Sequence, residues 1–311
     1  MVSAAAANPY DHPMLIRMRA FAKVNLALSV GPPIPSGEPG AGMHPIASWM
    51  HAIDLCDDVE VQPVESGGRF QVSWAPDAPR PGPIDWPPEA DLAFRAHRLL
   101  EDHAGRPLPA DMRLFKRIPV GGGLGGGSAD AAAALMALNL AFGLAYSDQT
   151  LRDLSRSLGS DVAFFLDDRD PPPRPAVVTG LGDRIERIAP AAGWVVLVIP
   201  EFGCPTGPVY RAFDARPDPL LQEREIHAMA VAGAVHAAPL FNDLLLAAET
   251  VRPDLMDVRE HAAAAAARGV FMSGSGSTLF ALATDDRDAE RVRARIVERL
   301  PGAAVVAAAL V

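Results

Sequence analysis

The sequence predicts an α+β protein, on three observations. An N-terminal run alternates apolar with small and polar residues, as a strand does. A later strand leads through six glycines into an alanine-rich helix, and near the C-terminus two short apolar runs joined by S-G-S-G-S precede a last helix and strand.

Taken in order, residues 1–16 are alanine-rich, carry Pro9 and Pro13 and lack periodicity, so a loose N-terminal extension is expected. From Arg17 to Val30, Phe21, Leu26 and Leu28 fall among small and polar residues, which predicts a half-buried strand with Lys23 and Asn25 on one face. Gly31 to Gly42 is dense in Gly and Pro and predicts a loop with His44 at its exit, followed by an apolar element over Ile46 to Ile53. Phe70 to Trp74 reads as a strand, the proline-rich Ala75 to Pro88 as a surface excursion, and Asp91 to His103 as a helix. Met112 to Ile118 then reads as a strand, Gly121 to Gly127 as a loop, and Ser128 to Phe142 as a helix stopped by Gly143. Ser147 caps a further helix ending at Gly159, and Val162 to Leu166 begins a buried segment. The exposed D-D-R-D-P-P-P-R-P from Asp167 predicts a crossing between two halves. Beyond it, Trp194 to Ile199, Val270 to Met272, Thr278 to Ala283 and Ala303 to Leu310 read as strands, with a helix over Arg287 to Leu300.

With 311 residues, 49% of them apolar, the chain can bury the core of one large domain or two ordinary ones. Its two cysteines, Cys56 and Cys204, lie far apart and follow no charged-then-apolar leader, which argues against a disulfide framework and for a reducing cytoplasm. Its apolar stretches are far shorter than the roughly 20 residues of a spanning helix, so no membrane association is expected. A formal net charge of −10 argues against a nucleic-acid partner, whereas an anionic small-molecule substrate needs only a local positive site. Of 28 basic residues only Lys23 and Lys116 are lysine, which points to a need for the compact ammonium at those positions.

The run P-V-G-G-G-L-G-G-G-S-A-D-A-A from Pro119 carries the chemistry. Glycines let backbone amides approach a phosphate with no Cβ in the way, and the helix that follows presents its positive end to the anion. Gly121, Gly123 and Gly126 also satisfy G-x-G-x-x-G, with Asp148 downstream, but a second parallel strand should precede the ribose-binding acid and a helix is expected there instead. A Walker loop needs a lysine after its glycines, and none lies inside the run. A plain connector has no use for six glycines, which cost folding entropy.

K-R-I-P-V-G-G-G-L-G-G-G-S-A-D-A-A resembles the signature loop of the GHMP kinases, in the form it takes in the diphosphocytidyl-methylerythritol kinases. A-F-A-K-V-N-L-A-L, L-G-S-D-V-A-F-F and M-S-G-S-G-S-T-L-F resemble further motifs of that family in the same order, over most of residues 17–285. The resemblance implies a two-domain α+β fold: an ATP-binding N-terminal domain of the ribosomal protein S5 domain 2-like type over 17–175, and a ferredoxin-like C-terminal domain over 176–311. It implies transfer of the ATP γ-phosphate, with Mg2+, to the 2-hydroxyl of 4-diphosphocytidyl-2-C-methyl-D-erythritol on the non-mevalonate route to isoprenoid precursors, by a monomer or weak homodimer. Another small alcohol as acceptor, or a catalytically silent nucleotide-binding homologue, are the alternatives.

By the same resemblance Asp161 is the catalytic base, with Lys23 beside it keeping it ionised; the bland readings are a helix cap and an ordinary strand lysine. Lys116, Pro119, Gly121, Gly122, Gly123, Leu124, Gly125, Gly126, Gly127 and Ser128 are expected at ATP. Asn25, His44, Thr206, Tyr210, Gly274, Ser275 and Gly276 are expected at the acceptor, His44 hydrogen-bonded to cytosine and Tyr210 stacked on it. The chain departs from the family in G-A-G-M-H, where Met43 replaces an aromatic residue and leaves cytosine recognition less secure than kinase activity.

Overall fold

The computed structural model describes residues 14–169, 171–216 and 219–311, so most of the expected N-terminal extension lies outside the described residues. Strand β1, Ile16–Val30, pairs antiparallel along the length of β2, Ile46–Pro63. The far half of β2 also pairs with β4, Ala110–Lys116, and its near half with β5, Ala176–Gly180. β3, Phe70–Trp74, lies parallel to β4 at one edge and β6, Arg184–Arg187, beside β5 at the other, giving six strands.

β2 thus runs ten residues past the apolar element expected to end at Ile53, because it is paired on both sides there despite its charged residues. β5 and β6 also belong to this sheet, so its strands reach Arg187, beyond the division expected between residues 175 and 176. The D-D-R-D-P-P-P-R-P segment is not simply exposed: Asp167 is buried and binds the backbone and guanidinium of Arg174.

Helix α1, Leu92–Ala104, starts with the Asp91 carboxylate accepting from Ala93 N and stops at left-handed Gly105. Helix α2, Gly126–Ala141, lies between α1 and the sheet, its alanines buried on nearly every side. Small side chains permit that close approach. α3, Asp148–Ser155, is capped by Ser147 as expected but ends four residues before Gly159, and the single turn α4, Val162–Phe165, follows.

A second, four-stranded antiparallel sheet has the order β10-β7-β9-β8, built from β7 (Trp194–Ile199), β8 (Val270–Met272), β9 (Leu279–Ala283) and β10 (Ala304–Ala309). Helices α5 (Thr206–Phe213), α6 (Glu223–Ala232), α7 (Leu245–Val251) and α8 (Asp254–Ala266) fill the β7–β8 connection, where the sequence pattern had predicted none. α9, Asp286–Arg299, joins β9 to β10 and completes the ferredoxin-like arrangement.

The alternating side chains of β7 feed two cores: Val196 and Val198 pack with α5, α8 and α9, while Val195, Leu197 and Ile199 meet Val24, Leu26 and Trp49 of the first sheet. For this reason β1 is buried on both faces from Ala20 onward rather than half-buried, with α2 over one face and the second lobe over the other. Each such Val or Leu contributes about 1.5–3 kcal/mol of burial, so the junction between the lobes is a true core.

Candidate active site

The glycine loop meets the junction of the two lobes. Gly123 has φ +77°, and a Cβ there would lie 2.3 Å from the carbonyl oxygen of Ser273; Gly125 has φ +71° and sits 3.0 Å from Lys23 Cγ by the same construction. Both need glycine for conformation and for space. α2 begins at Gly126, two residues before the expected start at Ser128, with Gly125 as its N-cap. The amides of Gly126, Gly127 and Ser128 are therefore the ones a helix leaves without internal partners. An anion placed against them would meet the positive end of a 16-residue helix.

On one side of the loop is a cavity of about 610 Å³ lined by Lys23, Asn25, Asp161, Thr206, Tyr210, Gly274 and Ser275, among others. On the other is one of about 490 Å³ that holds Pro119, Gly122, Leu124, Gly126, Gly127 and Lys116. Gly121, Gly123, Gly125 and Ser128 line both, so the loop is the partition between them.

Buried Lys23 donates from Nζ to Asn25 Oδ1 at 2.6 Å and lies 3.3 Å from Asp161 Oδ2. Its backbone N–H donates to Leu124 O at 2.9 Å, tying β1 to the glycine loop. Asp161 stands just before α4, accepts no capping hydrogen bond and keeps 27% of its side chain exposed, so the cap reading fails. Asn25 Nδ2 donates to Ser48 Oγ at 2.7 Å, and Ser48 in turn donates to Ala27 O at 2.9 Å, which fixes the amide. A hydroxyl placed against Asp161 would meet a carboxylate on one side and an ammonium on the other. That pairing can take a proton and offset developing negative charge.

Tyr210 of α5 lines the same cavity; burial, and then the nearby Asp161 charge, push its phenol up to about 12, so it stays neutral. Its ring centroid is 5.0 Å from that of His44, whose Nε2 pairs with Asp214 at 2.6 Å. A carboxylate can only accept, so Nε2 carries the proton and, in a neutral ring, Nδ1 is an acceptor. His44 stands behind Tyr210 rather than among the residues lining the cavity. Thr206 Oγ1 and Ser275 Oγ are hydrogen-bonded at 3.0 Å, closing the S-G-S-G-S turn over α5. Gly276, within that turn, has no room for a Cβ, which would come 2.9 Å from Met272 Sδ.

Lys116 lines the 490 Å³ cavity, with its ammonium already engaged by two carboxylates. Its buried Nζ is bound by Asp57 and Asp130 under the loop. Burial alone would depress its pKa, but the two carboxylates outweigh burial and hold it above the usual lysine value. Burial, with the Asp57 charge, pushes Asp130 well up against the pull of Lys116. Asp57 also accepts from the backbone of Arg117 and, at 2.8 Å, of Ile118, so this triad fixes the loop's entry.

Sequence reasoning missed Asp57, Ser48, Ser273, Asn242 and Trp86. Asn242 Nδ2 donates to Met272 O and Gly274 O, both at 2.8 Å, and shapes the turn. Trp86 comes from the loop expected to be a surface excursion; its Nε1 donates to Asp91 at 3.0 Å and its ring walls the 490 Å³ cavity. Only the D-W-P-P pattern before the helix carried any signal of it.

Two family models match the chain: GHMP kinases N terminal domain over residues 91–168 and GHMP kinases C terminal over residues 222–302. Over 290 residues the chain is 37% identical to the 4-diphosphocytidyl-2-C-methyl-D-erythritol kinase of Pelotomaculum thermopropionicum, which spans 91% of this chain and 94% of that one. The chain belongs to the GHMP kinase family. A relative of the same description from Thermobifida fusca is 35% identical over 91% of this kinase and 92% of its own length. A crystal structure of 4-(cytidine 5'-diphospho)-2C-methyl-D-erythritol kinase superposes with a TM-score of 0.74 at 34% identity, covering 94% of this kinase and 98% of that chain. A homoserine kinase from Cytophaga hutchinsonii, with a TM-score of 0.67 at 17% identity over 99% and 98% of the chains, shares the fold. Being a GHMP kinase, the enzyme uses ATP. Among the described residues no helix is long and apolar enough to cross a membrane.

Proposed function

We propose that this kinase transfers the γ-phosphate of ATP to the 2-hydroxyl of 4-diphosphocytidyl-2-C-methyl-D-erythritol, in non-mevalonate isoprenoid precursor synthesis in the cytoplasm. The observation that carries the reading is the Lys23–Asp161 pair, 3.3 Å apart, on the wall of a cavity bounded by the glycine loop. ATP occupies the 490 Å³ cavity, its phosphates on the amides of Gly126, Gly127 and Ser128, and the acceptor alcohol occupies the 610 Å³ one. Transfer then takes place across the partition, with little for the protein to do beyond positioning and charge stabilisation.

In that arrangement Asp161 accepts the proton of the attacking hydroxyl, Lys23 sets a positive charge 3.3 Å from it and Asn25 orients the ammonium. Tyr210 offers its ring to the cytosine, and His44, held by Asp214, backs the tyrosine from outside the cavity. Gly274, Ser275 and Thr206 close the far wall. The division into a nucleotide-binding lobe and a C-terminal lobe places this cleft between them.

Among the described residues no group of three or more His, Cys, Asp or Glu side chains could hold a metal by itself. Mg2+ would arrive on the nucleotide, since this ion keeps waters and substrate phosphates as ligands. Ser128 is the residue positioned to hold it, and the ion would neutralise charge on the β- and γ-phosphates when bound.

The test is ATP-dependent phosphorylation of 4-diphosphocytidyl-2-C-methyl-D-erythritol by the purified kinase, with and without Mg2+, beside mevalonate and homoserine. Magnesium-dependent turnover of the cytidyl alcohol is expected. Preference for another alcohol, which Met43 in place of an aromatic residue would favour, overturns the substrate. Absence of turnover with all three overturns the reaction.

A further inference from the structure

The helix that carries Asp161 is too short to hold itself. α4 has four residues, and a single turn fixes several dihedral angles for one hydrogen bond. Val162 and Phe164 bury its side chains, but its last carbonyls have no following turn to receive them. Those carbonyls are met instead from β6. Arg187 Nη2 donates to Phe164 O at 2.7 Å and to Leu166 O at 3.1 Å, and its Nη1 donates to Arg174 O at 2.6 Å. The guanidinium also lies 5.3 Å from the Phe164 ring centroid.

This is an unusual use of an arginine. Its side chain is only 14% exposed, and the Asp167 carboxylate, 3.6 Å away, is already bound to Arg174. Burial pulls its pKa down to about 10, which leaves it charged at neutral pH. A planar fork reaches the three carbonyls from two nitrogens at a fixed spacing, which the single nitrogen of a lysine cannot reproduce. Arg187 does not line the 610 Å³ cavity, so any effect on chemistry must pass through α4.

We infer that Arg187 is a positioning residue for phosphoryl transfer, holding the C-terminal end of α4 so that Asp161 stays at its distance from Lys23. The inference rests on the base role proposed for Asp161.

Arg187→Met is expected to lower kcat by about 10- to 100-fold, the scale of a misplacement near 1 Å, with KM for ATP within about twofold of wild type. Arg187→Lys should recover part of the loss. In an Asp161→Asn background Arg187→Met should cost nothing more, because the group it positions is gone. Arg268 serves as the control: it donates to Leu282 O at 2.7 Å and to Asp288 in the other lobe, so Arg268→Met should weaken folding while leaving kcat unchanged. Loss of kcat in Arg187→Met no greater than in Arg268→Met, or an equal further loss in the Asp161→Asn background, overturns the inference. If Arg187→Met does not fold, Arg187→Lys carries the same comparison.

Hydrogen exchange gives a readout independent of turnover, and so separates failure of this inference from failure of the proposed reaction. The amides of Phe164 and Leu166, which bond to Asp161 O and Ala163 O, should lose protection in either Arg187 variant while those of α1 keep it. Unchanged protection in α4 overturns the inference whatever the activity.

Discussion

At the scale of single residues, the two lysines show how one sequence signal can have two physical causes. Lys23 and Lys116 are the only lysines among 28 basic residues, and both are buried. Lys23 reaches the wall of the cavity and pairs with a partly exposed Asp161, whereas Lys116 is enclosed between Asp57 and Asp130. The compact ammonium suits both settings, donating from a single nitrogen to Asn25 in one and to Asp57 and Asp130 in the other. For Asp161 the base role predicts that Asp161→Asn lowers kcat by about two orders of magnitude or more, with ATP affinity little changed. Steady-state kinetics and nucleotide titration of the same variant check both halves, and an unimpaired variant would remove the role.

At the scale of elements, what fixes each helix is local chemistry at its ends. Asp91, Ser147 and Asp285 each accept a backbone N–H at the start of α1, α3 and α9, a contribution of about 1 kcal/mol apiece. α9 carries a further device in Asp288, which accepts from Arg268 at 2.7 Å and from Thr284 N at 3.2 Å. The Arg268 hydrogen bond is the chief cause holding the Asp288 carboxyl at about 2, below its ordinary 3.8. A depressed folded-state value stabilises the fold above the unfolded value and is lost as pH falls from about 4 towards 2. The difference in urea stability between wild type and Asp288→Asn should therefore be constant from pH 7 to pH 5 and shrink below pH 4. A difference that persists unchanged at pH 3 would count against this account.

At the scale of the whole molecule, the cleft exists because two lobes close over the glycine loop through a few buried polar contacts. Ser273 Oγ donates to Gly123 O at 2.9 Å and accepts from Asn25 N at 3.2 Å, while Thr278 N donates to Gly122 O at 3.2 Å. Ser273→Ala would leave both of its partners buried and unpaired, a cost of about 1–3 kcal/mol. It should lower stability by that amount in denaturant and raise KM for ATP and the acceptor together; a change in only one KM would mean that the joint does not serve both cavities. Much of this molecule was legible beforehand: the strands β1, β3 and β7, the loop and helix after β4 and the cap at Ser147 follow from local pattern, while the pairing of Lys23 with Asp161 was implied by the family resemblance alone. Periodicity and capping act over a few residues, and the sequence by itself determined whatever they govern. The double burial of β1, the reach of β2, the place of β5 and β6 in the first sheet, and the enclosure of Lys116 were decided only by the tertiary structure. So were the wall supplied by Trp86 and the grip of Arg187 on α4. Each draws on at least one partner far along the chain, as Arg187 does on Phe164, Lys116 on Asp57 and β2 on β5, and no short window contains both members of such a pair.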